Sequence, residues 1–557
     1  MQLVLLVFLA ALGYAACLAF GTVVAVRPAE RGRTLVTEGV RLVLVAAAGL
    51  GVGAVTLLPT AAALGESARE RVPYDDYASH WSVSETALLA RTFWPSATPV
   101  GAEQMNDEMA FAGTATGVLA LVGAVQRRRG AGLGRGILLA VALVTLGTPA
   151  SWVAYHLVPG LDRLFPLGRA LFLWCFAVAL LAGLGLDAVI GRLRVWGAVA
   201  LRMPSGTLAD GRRTRRALRA GGAVVILAVV GGSAVQLVWY GRRVNPRSSP
   251  GTRHCSSPTT PVLDALSREA TRIAEAGDRQ RVVPVSGILP ASIPMVFGIE
   301  SAGGYESMMP RRVEAVWRVV AGSSPRQVLA EPSRGAYRSF YPAGVLRFGL
   351  LERLGVTTVL AVNEVPADPG WVANRPAPEA TLRERYAGLD GRVDDLATGG
   401  PSRAWVVHEV EVVAGPEAAL ERFAETDFPF RDRMILEGDR PVVPAERGRP
   451  GAPATVTVAP LELNSARFTV ESDEPGWLLM ADTWAPGWSA RVNGEPAPVL
   501  RADYVLRAVE IPAGASEVVL RYRPPGFVTG LWISTVTVLT VAVALVTSWW
   551  RGRRSLA

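Results

Sequence analysis

The sequence predicts a polytopic α-helical membrane protein of about seven transmembrane helices. A large extracytoplasmic region, first α/β and then a β-sandwich, precedes the last helix. Three observations predict this. The 557 residues are 50% hydrophobic yet 19% charged, with a mean hydropathy of +0.29. That is too apolar for a soluble chain and too charged for a chain made only of spans. Apolar runs of bilayer length recur, and a hydrocarbon core needs roughly 20 residues per helix. Arginine fills every second loop between them, the pattern that marks cytoplasmic sides.

The spans fall at 3–26, 42–64, 136–158, 170–190, 220–240 and 527–549, with a shorter one at 110–126. Arg27, Arg31, Arg33 and Arg41 occupy the first loop, and Arg127, Arg128, Arg129 and Arg135 the third. The fifth holds "GRRTRRALR", and Arg551, Arg553 and Arg554 follow the last span. These loops are cytoplasmic, so the C-terminus is inside and Met1 outside. An outside start implies further helices upstream. The formal charge of +9 is thus a topology signal, and nucleic acid is not an expected partner. All the basic residues are arginine, and three cysteines make no disulfide framework. Gly49 and Gly53 form a small-xxx-small pair for helix packing. Pro149 is expected to kink the fourth span.

Residues 1–240 thus form the first six spans, with an outside loop at 65–109. Residues 241–453 mix helix and strand. "RVVPVS" is a strand, and "LLERLGVTTVLAV" reads as a helix, a Gly355 cap and a strand. "RAWVVHEVEVV" is a further strand and "PEAALERFAE" a helix. Residues 454–525 alternate apolar and polar in short strands bounded by turns, the pattern of a β-sandwich. Asn493-Gly494 is its tight hairpin turn. Residues 526–557 are the last span and a cytoplasmic tail. Trp477, Trp484 and Trp488 suit a packed core or a membrane surface, with sugar stacking the competing role.

The end of the chain, "LLMADTWAPGWSARVNGEPAPVLRADYVLRAVEIPAGASEVVLRYRPPGFVTGLWIS", resembles the YfhO family of bacterial membrane proteins, within the GT-C class of lipid-dependent glycosyltransferases. Pro486, Gly487, Trp488, Val492, Gly494, Pro512, Gly514, Tyr522 and Pro524 match its pattern, while Asn493 stands where the family usually has Asp. "GGYESMMPRR", "LLPTAAALGESAR" and "FPLGRALFLWCFAVALLAGLGLDAV" extend the likeness. The resemblance implies a bacterial plasma-membrane location. It also implies transfer of a sugar from a polyprenyl-phosphate donor to an envelope glycan on the outer face, often with a divalent metal. The catalytic Asp typical of the class lies in an early outside loop that is not in this sequence. A separate or missing N-terminal part is therefore implied. The alternative is a non-catalytic membrane protein whose outer domain binds or scaffolds envelope polysaccharide.

The residues themselves offer little transfer chemistry. Such an enzyme needs a carboxylate to activate the acceptor and cations to hold the leaving phosphate. Asp75 and Asp76 are the best acid pair in the outside loop. Arg69 and Arg169 stand outside near helix ends, where they could grip a lipid phosphate or simply snorkel. No cofactor motif is present, and His80, His156, His254 and His408 show no ligand spacing.

Overall fold

The computed structural model describes residues 22–68, 111–146, 148–157, 170–200, 227–240, 260–285, 297–302, 309–330, 346–361, 382–396, 403–438, 452–460 and 462–554, with a few isolated positions besides. The chain divides into two compact units, Met1–Leu50 with Arg71–Thr252, and Gly51–Glu70 with Arg253–Ala557.

Helix α1 (Arg31–Glu66) passes from one unit to the other. In the first unit follow α2 (Thr114–Ala124), α3 (Arg129–Thr145), α4 (Pro149–Leu157) and α5 (Leu171–Ala200). Helices α2 and α5 touch backbone to backbone. A Cβ on Gly123 would lie 1.8 Å from the Leu181 carbonyl oxygen, and one on Gly185 would lie 1.9 Å from that of Leu119. Small residues allow this approach where lipid supplies no hydrophobic drive. Leu171, Trp174, Val178 and Leu181 of α5 carry the unit's core, and Trp174 Nε1 donates to Thr92 Oγ1 at 2.9 Å. Pro149 does more than kink a span. It opens α4 as the helix's first residue, a position where its missing N–H costs nothing. The axes of the two helices on either side differ by 91°.

Among the described residues, three helices are long and apolar enough to cross a membrane, or four if the pair broken at Pro149 is one span. Thr114–Ala124 and Leu227–Tyr240 are shorter apolar helices. The described residues thus fall short of the seven expected spans, and the run 3–26 lies largely outside them.

The second unit is mainly sheet. Helix α6 (Pro261–Glu275) is capped by Thr260 and starts on Pro261. Its apolar face, Val262, Leu263 and Leu266, is buried against a five-stranded mixed sheet. That sheet comprises β1 (Arg281–Pro284), β2 (Glu300–Ser301), β3 (Thr358–Ala361), β4 (Leu382–Gly388) and β5 (Gly391–Leu396), in the order β2-β1-β3-β5-β4. Helices α7 (Arg311–Val320), α8 (Pro325–Ala330) and α9 (Phe348–Arg353) lie between β2 and β3 in sequence. Gly355 follows α9 at φ +67°, the left-handed cap that the sequence predicts.

Next come β6 (Ala404–Val407), β7 (Glu409–Val413), α10 (Gly415–Phe423) and β8 (Arg433–Glu437). The run expected as one strand is two: it breaks at His408, and β6 and β7 lie on opposite edges of one sheet. The remaining strands are β9 (Ala454–Val458), β10 (Ser465–Ser472), β11 (Gly476–Met480), β12 (Trp488–Val492), β13 (Glu495–Ala497), β14 (Leu500–Ala502), β15 (Leu506–Ile511) and β16 (Gly514–Tyr522). They build a five-stranded sheet, β13-β12-β16-β10-β9, and a six-stranded one, β6-β11-β15-β14-β8-β7. The six-stranded sheet takes strands from both sides of Ala454, so the division expected there does not follow the sheets.

Period-two alternation gives these two sheets a shared core. Phe468, Val470, Val518 and Leu520 from one meet Leu478, Met480, Val509 and Ile511 from the other. The opposite face of the six-stranded sheet packs with α7, α9 and α10 in the largest core, around Leu350, Leu420, Phe423 and Trp477. Asn493 and Gly494 make the β12–β13 turn with φ of +52° and +87°, the mirror-image geometry that matches strand twist.

Strand β16 ends four residues before α11 (Phe527–Arg554) begins. This helix lies on the C-terminal half of α1. A Cβ on Gly530 would come within 2.4 Å of the Ala54 carbonyl oxygen. Ser534 Oγ accepts from the Val55 N–H at 3.0 Å and donates toward the Gly51 and Val52 carbonyls, inserting into the α1 ladder. Gly51 packs on this helix, where an added Cβ would meet Thr537, while an added Cβ on Gly53 would meet Leu57 of its own helix.

Candidate functional site

Of the residues singled out in the sequence, Asp75 is exposed. Asp76, Arg69 and Arg169 lie outside the described residues. Among the described residues, no three of His, Cys, Asp and Glu come together to hold a metal. The tryptophans are structural. Trp477 is 2% exposed in the largest core. Trp484 lies under the Arg501 guanidinium at 3.9 Å, and Trp488 is sandwiched between Tyr522 and Arg507.

The chemistry that the fold does concentrate centres on Asp482. Strand β11 ends at Met480, whose neighbours across the sheet are Ala404 and Arg507. Two residues on, Asp482 meets arginines from the adjoining strands. Arg403 Nη2 lies 2.6 Å from Oδ1, and Arg507 Nη2 lies 2.9 Å from Oδ2. From the mixed sheet, Arg281 at the head of β1 brings Nη2 to 3.1 Å of Oδ1. Its other nitrogen donates to the Leu354 and Ala481 carbonyls. Glu300, paired with Arg281 in the β1–β2 register, closes the group through Arg403. The Asp482 and Arg507 side chains are only 7% and 6% exposed.

Three guanidinium groups face two carboxylates, a formal surplus of one positive charge. Burial alone would raise the Asp482 carboxyl, but Arg403, Arg507 and Arg281 together hold it below its ordinary range. Burial lowers Arg281 and Arg507, and repulsion from neighbouring arginines adds to it. Asp482 is thus a poor proton acceptor with its oxygens occupied. The cluster can bind and orient, but it does not abstract protons.

Arg281 and Asp482 also line a cavity of about 220 Å³. Ser301 and Thr483 add hydroxyls, and Trp317 and Leu354 add apolar wall. The sequence carried a signal for this cluster, since Arg507 interrupts the apolar run "YVLRAVEI" and Asp482 ends "GWLLMAD". The charges lie on separate strands, and only the pairing of β6, β11 and β15 brings them together.

Fold and site define a membrane protein whose second unit joins sheet layers to a terminal span. Residues 453–534 match the family model described as bacterial membrane protein YfhO, and over this segment the resemblance read from the sequence holds. Asp482 and Arg507 lie within it. Among solved structures, the cryo-EM structure of the arabinofuranosyltransferase AftD from mycobacteria is similar at 14% identity with a TM-score of 0.28. That likeness takes in 92% of this chain and 43% of the other, so this chain spans less than half the length of that structure. No curated protein matches.

Proposed function

We propose that this chain is a multi-span protein of the bacterial plasma membrane whose extracytoplasmic region binds glycan during transfer of a sugar from a polyprenyl-phosphate donor to an envelope polymer. One observation carries the reading. A polar cavity walled by Trp317 and edged by Asp482 and Arg281 lies in the unit that also holds the terminal span. Flat aromatic wall beside fixed polar groups is how proteins hold small polar ligands. The match of residues 453–534 to the family model described as bacterial membrane protein YfhO supports the membrane part of this reading.

In this reading the seven spans are α1, α2, the α3–α4 pair, α5, Leu227–Tyr240, α11 and the run 3–26. The two sheets that share a core form a β-sandwich on the outer side, and the C-terminus is cytoplasmic. Arg69 and Arg169 would face the lipid phosphate, and Asp75 or Asp76 the acceptor. A second reading has the same site without transfer, as a polysaccharide scaffold. It is favoured by Asp482, whose pairing with three arginines removes it as a base.

One assay separates them. Vesicles bearing the full chain receive a polyprenyl-phosphate sugar labelled in the sugar, together with envelope polysaccharide. Label moving from the organic to the polymer phase supports transfer. Polysaccharide that sediments with the vesicles while label stays in lipid supports the scaffold. If polysaccharide neither gains label nor sediments, both readings fall.

A further inference from the structure

The cavity beside Asp482 holds more information than its polarity. Its volume of about 220 Å³ equals the share of roughly seven waters at ~30 Å³ each. That is the scale of one monosaccharide, and below the roughly 300 Å³ at which pockets for drug-sized ligands begin.

Its groups divide by chemistry. Asp482 spends both oxygens on Arg281, Arg403 and Arg507, and so fixes Arg281 at the cavity edge. Ser301 and Thr483 donate or accept. Arg281 is a fixed cation whose own partners do not balance it: the connected group holds Arg281, Arg403 and Arg507 against Asp482 and Glu300. The surplus is nearly dry, since the arginine side chains are 15%, 13% and 6% exposed. Buried Nε and Nη1 of Arg507 have no hydrogen-bond partner, although the guanidinium rests on the Trp488 ring. An unbalanced charge in such a place is costly, and an anion entering the neighbouring space offsets it. Trp317, Val316, Leu354 and Leu506 supply the apolar part of the lining, the side that suits the C–H face of a sugar ring.

We propose that this cavity takes one anionic sugar unit, a ring bearing a carboxylate or a phosphate. A ring hydroxyl meets Thr483, and the charge of the unit is met by Arg281. The inference rests on the glycan-binding reading above and names the ligand class of that site. The shared chemistry has two sources, a uronic acid residue of a polymer or a glycosyl phosphate.

The test uses the full chain in lipid nanodiscs, titrated calorimetrically at pH 7 with glucuronate, glucose 1-phosphate, glucose and inorganic phosphate. Glucuronate or glucose 1-phosphate should bind at least about tenfold more tightly than glucose, the scale of one charge-assisted hydrogen bond. Whichever is tighter identifies the source. Thr483→Val keeps the shape of the side chain and should weaken the anionic sugar several-fold at an unchanged melting temperature. Equal binding of glucose overturns the charge requirement. Inorganic phosphate binding as tightly as glucose 1-phosphate overturns the sugar. No binding by any of the four, with envelope polysaccharide still retained by the nanodiscs, overturns the cavity assignment and leaves glycan binding standing. Loss of polysaccharide retention as well removes both.

Discussion

At Asp482, one carboxylate holds three arginines from two sheets. Removing one partner of a buried ion pair costs about 3–5 kcal/mol, because the remaining charge is left uncompensated. Asp482→Asn is therefore expected to lower stability by that order, read as a large fall in the melting temperature of the full chain in detergent. An unchanged melting temperature would show that the arginines are solvated and the cluster loose. Asp503 acts in the opposite sense. Burial pushes its carboxyl from 3.8 up to about 7, against the pull of the Ile435 N–H and Arg353. Its Oδ2 is buried without a hydrogen-bond partner. Between those two values the folded state keeps the proton and the unfolded state has lost it, so stability falls as pH rises from about 4 to about 7. The total is of the order of 2–4 kcal/mol. Asp503→Asn keeps the acceptor for Ile435 and accepts the local φ of +44°. It should raise the melting temperature at pH 8 and leave it nearly unchanged at pH 4.5; a shift of equal size at both would rule out titration as the cause. Neither role was legible in the sequence, because one aspartate in a strand looks the same whether it meets water or three guanidinium groups. Asp75, prominent in the sequence for standing beside a second acid, is exposed.

Elements were far more legible. Period-two runs gave β10, β11, β15 and β16, and Gly355 and Asn493-Gly494 gave their cap and turn, since local backbone sterics decide these features. Two elements escaped for a non-local reason. The run 404–413 is continuous in propensity, but its halves pair at opposite edges of a sheet, and only tertiary pairing sets a break at His408. The contact of Gly51 with Thr537 was not legible, because Gly49, Gly51 and Gly53 are equivalent in sequence until the partner helix is known. Glycine contacts supply a test at this scale. Gly123 and Gly185 let α2 and α5 meet at backbone distance, with an added Cβ only 1.8–1.9 Å from a carbonyl oxygen. Gly123→Leu should separate these helices and abolish a monodisperse, folded peak in size-exclusion chromatography. Gly132→Leu, where an added Cβ meets nothing within 4 Å, should be tolerated. Equal behaviour of the two would show that α2 and α5 do not pack this closely.

For the whole molecule, the arginine loops predict which parts face outward. Single cysteines at Ser205 and Ser323, introduced into the chain freed of its own three, report it through a membrane-impermeant thiol reagent on intact cells. Ser323 should label and Ser205 should not, and the reverse would invert the orientation and remove the glycan-facing role of the second unit. The division of the chain into two units was not legible, because nothing in the composition of α1 marks Leu50 from Gly51. The partner that makes the difference lies far along the sequence. Ser534 sits 479 residues after Val55. At synthesis rates of about 5–20 residues per second, it leaves the ribosome roughly half a minute to a minute and a half later. Throughout that time residues 51–55 of α1 are without the Ser534 hydroxyl that inserts among their backbone groups, and Pro59 leaves a carbonyl of the same helix unanswered. The protein's biogenesis therefore has a built-in wait. Assembly of the second unit can finish only after α11 has been released, because α11 supplies the contacts to residues 51–55.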